Sequence, residues 1–287
     1  WVAAQQRAER LGYDSLWTWD HVYPIVGDWH GPILEAYTAL SALAALTSRA
    51  TLGLMVGANT FRNPALVTKM ITTIDHISGG RAILGIGAAW FETEHSAFGI
   101  PFGADPPERL RWLGQALPIM RGMLDGAEPT VTEGIYRTHA VRNDPPPVQR
   151  HLPILVGGSG RQVTLKLVAR YADWWNFPGG SLDNYADLLA TLRGHCADVG
   201  RDYDSIVKTW ACECVAVAPT SAQARRMAES SPFYGPDSAI VGTPGEVAAQ
   251  LRRFTDLGVT HFMLRFADFP RTDGVRLFAE AVIPQFR

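Results

Sequence analysis

The chain has 287 residues, 47% of them hydrophobic, with 26 basic and 28 acidic residues and a formal net charge of −2. This length and apolar content suit either two ordinary domains or one large α/β barrel. The balanced charge, without a run of one sign, argues against a nucleic-acid partner or an anionic membrane surface, so we expect a small-molecule partner.

Cysteine content and hydropathy narrow the class of protein further. Cys196, Cys212 and Cys214 are too few and too unevenly spaced for a disulfide framework or a zinc site. No apolar stretch approaches the roughly 18 residues that a membrane span needs. We therefore expect a cytoplasmic protein.

Short apolar runs of β-forming residues alternate with amphipathic stretches of helical spacing, a pattern typical of βα units around a buried parallel sheet. A first helix is expected to stop at Gly12, and another at the Gly79-Gly80 pair. The seven predicted strand segments are, in chain order, DSLWTWDH, ATLGLMVGANTFRNP, AILGIGAAW, PILVGG, ADWWNF, IVKTWACECVAV and THFMLRF.

Residues 91–152 interrupt this alternation. The segment holds one helix, ERLRWLGQALPIMRGML, which Pro118 is expected to interrupt, and a proline-rich stretch in which TVTEGIYRT is expected to form a hairpin. Long insertions in βα repeats often carry a lid. We therefore predict one domain over residues 1–287 with a lid at about 91–152.

The strand count bears on the type of α/β fold. A closed (β/α)8 TIM barrel needs eight strands, and seven are visible. Because the chain opens inside a helix that should follow a strand, the absent strand is expected to be the first. The sequence predicts a (β/α)8 barrel that lacks its first strand, in a chain truncated at its N-terminus.

Functional groups of βα barrels collect at the carboxyl ends of the strands. Asp20 and His21 follow the first segment and pair an acid with a group that titrates near neutrality, which makes them candidates for acid–base catalysis. A structural interpretation competes with this one: Asp20 would cap the following segment, and His21 would pack under Trp17 or Trp19.

The second strand end offers a ligand close backbone approach and polar groups. Val56 and Gly57 are small, and Asn59 supplies both a donor and an acceptor. In the alternative interpretation this is a loop in which Asn59 satisfies backbone groups, while Asn63 caps a helix with Pro64 in its first turn. Both interpretations can hold together.

The third strand end, GIGAAWFETEH, combines glycines with acidic residues. Its G-x-G lacks the third glycine of a dinucleotide fingerprint, and Glu92, Glu94 and His95 lack metal-ligand spacing, so no metal site is expected. We assign the glycines to packing and Trp90 to the wall of a pocket.

The fourth strand end is the turn Gly157–Gly160. Consecutive glycines between a strand and a helix leave backbone N–H groups uncovered, and the positive end of a helix beginning near Arg161 would add to them. The turn predicts an anion site, although glycines that serve turn geometry alone would give the same pattern.

Aromatic and histidine residues elsewhere receive mainly structural assignments. One of Trp174 or Trp175 is expected to face the site beside Trp90, and Trp175 is assigned to the substrate pocket. His261 begins the last strand, at the end of the barrel away from catalysis. The histidines expected at the surface or in caps are His30, His76, His95, His139, His151 and His195.

Five segments in order resemble the luciferase-like monooxygenase superfamily, and more narrowly its branch of oxidoreductases that depend on the deazaflavin coenzyme F420. They are AERLGYDSLWTWDH, NTFRNPALVTKM, SGGRAILGIGAAWFETEH, PILVGGSGRQVTLKLVARYADWWN and VGTPGEVAAQLRRFTDLGVTHF. The resemblance covers nearly the whole chain and implies a barrel with the cofactor across the carboxyl ends of the strands.

The resemblance also implies roles for single residues. Asp20 and His21 would stand at the reactive face of the cofactor ring, and Met55 and Val56 would support the ring at a non-proline cis peptide. The turn would bind the cofactor phosphate. The resulting cofactor-binding candidates are Asp20, Met55, Val56, Asn59, Gly157, Gly158, Ser159 and Gly160.

The implied reaction is hydride transfer between F420 and a small organic substrate. His21 is the candidate for the accompanying proton, with Asp20 orienting it or a cofactor group. The sugar-phosphate dehydrogenases of this branch carry a catalytic Glu where this chain has Trp90, which argues against a sugar phosphate.

Three other functions compete with this interpretation. The first is an FMN-dependent monooxygenase that uses reduced flavin and oxygen, and the second is a non-catalytic flavin-binding relative. The third, a barrel lyase, would need a Schiff-base lysine at a strand end, but Lys69 and Lys166 fall in helices and Lys208 starts a strand. A homodimer is expected by family similarity alone.

Overall fold

A computed structural model describes residues 1–287, apart from the side chain of Pro178. Within this part of the chain, nine parallel strands form one sheet. They are β1 (Ser15–Thr18), β2 (Thr51–Leu54), β3 (Gly57–Ala58), β4 (Ala82–Gly87), β5 (Ile154–Gly157), β6 (Trp174–Pro178), β7 (Val207–Val217), β8 (Ile240–Gly242) and β9 (His261–Phe266).

Helices connect these strands. They are α1 (Val2–Arg10), α2 (Ala36–Leu46), α3 (Pro64–Ser78), α4 (Glu92–Phe98), α5 (Pro106–Leu124), α6 (Thr164–Tyr171), α7 (Leu182–Asp198), α8 (Ser221–Glu229), α9 (Pro244–Thr255) and α10 (Asp273–Ala281). The predicted limits of α3 are confirmed, since Asn63 accepts a hydrogen bond from the Ala65 N–H, Pro64 stands in the first turn and Gly79 ends the helix at φ 69°. No helix among the described residues is both long and apolar enough to cross a membrane.

The strand order is β1-β2-β4-β5-β6-β7, and β8 and β9 both pair with β7. All seven predicted strands are present, which confirms the predicted α/β barrel-type fold. Two short strands were missed: β3 continues the second predicted strand beyond Met55, and β8 is only three residues long. In the described residues β1 and β9 do not pair with each other, and both line a cleft of about 910 Å3.

Alternation along the strands separates two apolar layers, because successive side chains point to opposite faces. The larger core, which includes Leu52, Leu84 and Val156, lies between the sheet and the helices. A smaller cluster on the other face fills the inside of the curled sheet. Its members are Ile83, Leu155, Ala211 and Met263, with Trp17, Met55, Val56 and Trp174 packed against them.

Between β4 and β5 the chain makes the long predicted excursion. The predicted hairpin is confirmed by the antiparallel bridge between Val131 and Thr138. The predicted interruption at Pro118 is wrong, because α5 continues through it. Pro118 lies on the exposed face of α5, where water can hydrogen-bond to the carbonyl that loses its donor.

Candidate active site

The carboxyl ends of β1 and β4 meet in a hydrogen bond between His21 and Glu94. The distance from His21 Nδ1 to Glu94 Oε1 is 2.7 Å, and Glu94 Oε2 accepts a second hydrogen bond from the Val22 N–H at 2.9 Å. Glu94 is 1% exposed. A carboxylate at Nδ1 favours the tautomer with its proton there, which leaves His21 Nε2 as the nitrogen free to exchange a proton.

Three aromatic rings surround the His21 imidazole. Its ring centroid lies 6.2 Å from that of Trp19, 5.7 Å from that of Trp90 and 6.2 Å from that of Phe91. The predicted packing of His21 against Trp19 is confirmed. The Trp90 ring is 62% exposed, so a ligand could approach the His21 imidazole on the side of Trp90.

Asp20 faces a different partner from the one predicted. Its carboxylate accepts hydrogen bonds from Arg62 at 2.7 and 3.1 Å and from the Ala58 N–H at 2.8 Å, and Arg62 also reaches Glu35 at 2.5 Å. Of the two roles expected for Asp20, orienting His21 is wrong, since Glu94 occupies that position, and orienting a cofactor group stays a prediction. Asp20 instead holds the start of the β3 loop against β1.

Burial is the largest single influence on the pKa of both Asp20 and Arg62. It raises the pKa of Asp20, which is 2% exposed, although Arg62 and the Ala58 N–H oppose the shift. Burial also lowers the pKa of Arg62, but Asp20, Tyr37 and Glu35 together more than compensate, and the net shift is upward. The Arg62 guanidinium therefore stays charged, and it is the counter-ion that an ionised Asp20 requires.

The Met55–Val56 peptide bond is cis, as the resemblance predicted. The Val56 side chain lies against two glycines at neighbouring strand ends. A Cβ added to Gly87 would lie 2.7 Å from Val56 Cγ2, and one added to Gly157 would lie 2.8 Å from Cγ1. Glycine at these two positions thus makes room for Val56 at the floor of the site.

Asn59 links the strand ends to the insertion. Its Nδ2 donates to the Tyr136 hydroxyl at 3.0 Å, and that hydroxyl donates to the Asn59 carbonyl at 2.8 Å. Burial raises the pKa of Tyr136 to about 12. Among the described residues, the buried Asn59 Oδ1 has no hydrogen-bond partner. The interpretation in which Asn59 satisfies backbone groups is therefore wrong, because its side chain bonds only the Tyr136 hydroxyl, and Oδ1 is left as an acceptor that a ligand could use.

The glycine turn after β5 is exposed from Ser159 onward. The Gly158 N–H donates to the Asn176 carbonyl at 3.0 Å and is therefore occupied. The N–H groups of Ser159, Gly160 and Arg161 have no acceptor within the described part of the chain. Helix α6 begins at Thr164 rather than near Arg161, so the free amides precede the helix by a short turn.

Trp175 does not lie in the substrate pocket, and this prediction is wrong. The residue is fully buried, its ring stacks on Tyr185 of α7 at 5.4 Å, and its Nε1 donates to the Gly158 carbonyl at 2.9 Å. The adjacent Trp174 points to the inside of the sheet, 4.9 Å from the His261 ring. Alternation along β6 places only one of the two on each face.

His95 is also misassigned by the sequence, because it is completely buried. Its ring nitrogens pair with Thr60 Oγ1 at 2.6 Å and with the Phe91 carbonyl at 2.8 Å, and burial lowers its pKa. His261 lies at the amino end of β9, as predicted, with Nε2 2.7 Å from Ser15 Oγ. The described residues form no cluster of three His, Cys, Asp or Glu that could hold a metal ion.

Glu94 is the residue of this site that sequence reasoning missed. The sequence pattern raises Glu94 only as a metal ligand, and its spacing from His95 does not suit that role. An acidic side chain on a short helix directly after a barrel strand, within reach of a histidine at another strand end, was the available signal.

Comparison with known proteins identifies the family of this chain. A model described as luciferase-like monooxygenase matches residues 2–238. An uncharacterized protein of Mycobacterium tuberculosis is 30% identical over 221 residues, which cover 70% of this chain and 75% of that protein. An F420-dependent glucose-6-phosphate dehydrogenase of Intrasporangium calvum is 29% identical over 320 aligned positions, covering 98% and 92% of the two chains.

Two solved structures share the fold over all of this chain. One is an F420-dependent secondary alcohol dehydrogenase in complex with an F420-acetone adduct, with a TM-score of 0.86, 20% identity and 94% of that chain covered. The other is the monooxygenase RslO1 from Streptomyces bottropensis, with a TM-score of 0.83, 21% identity and 94% covered. With a family model that matches most of its length, the chain belongs to the luciferase-like monooxygenase family.

Proposed function

We propose that this protein is an oxidoreductase that transfers a hydride between coenzyme F420 and a small organic substrate. The observation that carries the proposal is the His21–Glu94 pair, an imidazole with one free nitrogen at the mouth of a barrel. The Intrasporangium calvum relative, which aligns with 98% of the chain, is named for F420 and supports the choice of cofactor.

The residues present fit such a cofactor. The uncommitted N–H groups of Ser159, Gly160 and Arg161 suit a phosphate, because successive backbone amides form an anion-binding concavity. The unpaired Asn59 Oδ1 suits a donor on a ring edge. Met55 and Val56, together with Gly157 and Gly158, would form the floor beneath the ring.

Side chains of the protein would transfer the proton and exclude water from the reaction. F420, when bound, supplies a carbon that accepts or donates a hydride. His21 Nε2 takes up or releases the proton that accompanies the transfer, while Glu94 holds the ring by Nδ1. The Trp19 and Trp90 rings lie beside His21, and with a ligand covering the exposed Trp90 they would exclude water on that side. We infer a substrate other than a sugar phosphate, since the resemblance implies that Trp90 stands where the sugar-phosphate dehydrogenases of the branch carry a catalytic Glu.

Fluorescence titration of the purified protein with F420 and with FMN tests the cofactor. We expect saturable F420 binding that is weakened by Gly160→Ala, whose added Cβ would lie 2.7 Å from Thr164 Oγ1 in the turn. Gly194→Ala is the matched control, because nothing lies within 4 Å of that position on α7. If the protein binds FMN more tightly than F420, the result would favour the alternative function, a monooxygenase. The structural similarity to the monooxygenase RslO1 is consistent with that alternative.

A second experiment tests catalysis. His21→Ala should lower turnover by about 100-fold or more while F420 affinity changes little, since acid–base groups contribute about 10² to 10⁴ in rate. Equal losses of turnover and affinity would assign His21 to binding. Cofactor binding without turnover in a broad substrate screen would indicate the non-catalytic relative instead. The cytoplasmic location and the homodimer remain predictions.

A further inference from the structure

Arg265 lies between two aromatic rings in the lining of the cleft. Its guanidinium carbon is 3.4 Å from the centroid of the Trp19 ring and 4.2 Å from that of Phe233. The residue belongs to β9, and its neighbours come from the β1 end and the segment after α8. The rings hold the guanidinium plane in place and cover its faces, so that its N–H edge is what remains for a ligand.

The hydrogen-bonding capacity of Arg265 is poorly used. Its Nη1 lies 2.8 Å from Glu213 Oε2, but no described residue, Glu213 included, gives Nη1 a well-aligned hydrogen bond. Burial lowers the pKa of Arg265 to about 10, although Glu213 opposes the shift. Glu213 is the only acceptor at ion-pair distance among the described residues, and none of them accepts a hydrogen bond from Nη2 or Nε, so these donors are available to a ligand.

The position of this group relates it to the proposed chemistry. Arg265, Glu213, Trp19 and Phe233 all line the cleft. The Trp19 ring also contacts His21, at 6.2 Å between centroids. In the strand order, β1 and β9 are far from β5, which carries the glycine turn. His21 does not itself line the cleft, but the Trp19 ring contacts both His21 and Arg265, so an anion at Arg265 would be one side chain away from His21 and away from β5.

We propose that Arg265 anchors a carboxylate on the substrate, so that the substrate class is a small organic acid with an apolar body. This rests on the proposed function, because it concerns the substrate of that reaction. Arginine binds carboxylates through two parallel N–H groups, and the Trp19 and Phe233 rings suit the apolar part. A dianionic phosphate would require more positive charge: with Glu213 adjacent, Arg265 supplies one cation at this end of the described cleft.

Glu213 gives the proposal a specific signature. Its side chain is 36% exposed and competes with an incoming carboxylate for the same guanidinium. Removal of its charge should therefore tighten anion binding, whereas a merely structural Arg265–Glu213 pair predicts no gain. Arg276 is an exposed arginine paired with Glu280 on α10 and serves as the matched control.

The test is calorimetric titration of the F420-loaded protein with benzoate, with benzyl alcohol as the neutral counterpart. We expect Arg265→Gln to weaken benzoate binding by about tenfold or more, Glu213→Gln to tighten it by about threefold or more, and Arg276→Gln to leave it unchanged. Unchanged benzoate affinity in both Arg265→Gln and Glu213→Gln would overturn the proposal. Should Arg265→Gln not fold, Arg265→Lys and the partly exposed Glu213→Gln still decide the outcome.

F420 titration of the same samples separates this proposal from the preceding one. We expect F420 affinity to be equal in wild type and Arg265→Gln. Parallel losses of F420 and benzoate affinity would assign the carboxylate to the cofactor and overturn the substrate proposal. Failure of the wild type to bind F420 would remove the hydride-transfer proposal, while the benzoate differences between variants would still decide whether Arg265 binds carboxylates.

Discussion

Glu94 and His21 are 73 positions apart in the chain and are joined by a hydrogen bond of 2.7 Å between Oε1 and Nδ1. The second carboxylate oxygen binds the Val22 N–H, so both oxygens of Glu94 are committed to the residues after β1. Glu94 thereby fixes the rotation of the imidazole and the nitrogen that carries its proton. In the proposed reaction it is a positioning residue that acts through His21.

Glu94→Gln should change the tautomer of His21 without changing the fold. In the wild type, ¹⁵N NMR of the imidazole should show the neutral ring protonated at Nδ1, and the variant should show a mixture of both tautomers. Once a substrate is known, turnover should fall by about 10- to 100-fold with F420 affinity unchanged, which lies within the range of an acid–base contribution. Glu92→Gln, on the exposed side of the same helix, is the control. Equal NMR changes in both variants would contradict the role.

The sequence predicted the strands well because each is an apolar run bounded by turn residues, and the limits of α3 because Asn63, Pro64 and Gly79 act locally. It could not predict which groups meet across the sheet. The partner of His21 depends on where α4 lies relative to the loop after β1, and periodicity carries no such information. Chance proximity in the sequence suggested Asp20, whose carboxylate is turned to Arg62.

The error at Trp175 has a related cause. Adjacent residues on a strand point to opposite faces, so one of Trp174 and Trp175 had to face inward, but composition alone does not set the parity of β6. The strand register sets it: Trp175 is opposite Lys208, and Trp174 is opposite Val207 on β7. The contact between Trp175 and Tyr185 of α7 shows that the helices cover the face of β6 on which Trp175 lies.

Asp20→Asn should destabilise the protein strongly, because it removes the buried carboxylate that pairs with Arg62 and leaves the partly exposed Glu35 as the remaining carboxylate partner of that guanidinium. Breaking a buried pair from one side costs about 3 to 5 kcal/mol in the free energy of unfolding. Urea denaturation of this variant measures the loss. Asp14→Asn removes an exposed carboxylate and should cost about 1 kcal/mol or less. A loss below 1 kcal/mol for Asp20→Asn would show that the pair contributes little.

Trp175→Ala and Trp90→Ala should separate stability from function. Truncation of the fully buried Trp175 should lower the free energy of unfolding by about 3 to 5 kcal/mol. Trp90 is 62% exposed, so its truncation should change stability by about 0.5 kcal/mol or less. Only Trp90→Ala should raise the KM for substrate in the folded protein. The reverse pattern in denaturation and kinetics would restore Trp175 to the pocket.

The buried His95 and the partly buried His261 should make the protein less stable in mild acid. Burial lowers the pKa of His95 and, despite opposition from Asp14, that of His261. The unfolded chain then binds more protons below its ordinary histidine pKa of about 6.5, so stability is complete above that pH and declines as the pH falls toward the folded-state pKa values. Each histidine contributes a slope of at most about 1.4 kcal/mol per pH unit in this window.

Denaturation of the wild type between pH 7.5 and 5.5 measures this slope. His95→Gln should flatten it, whatever it does to stability at pH 7.5, because glutamine keeps hydrogen-bonding groups near Thr60 and does not titrate. His139→Gln, at an exposed position, should leave the slope unchanged. A wild-type slope that persists in His95→Gln and also in His261→Gln would place the acid sensitivity elsewhere. Such a result would also mean that neither imidazole must be neutral for the chain to fold.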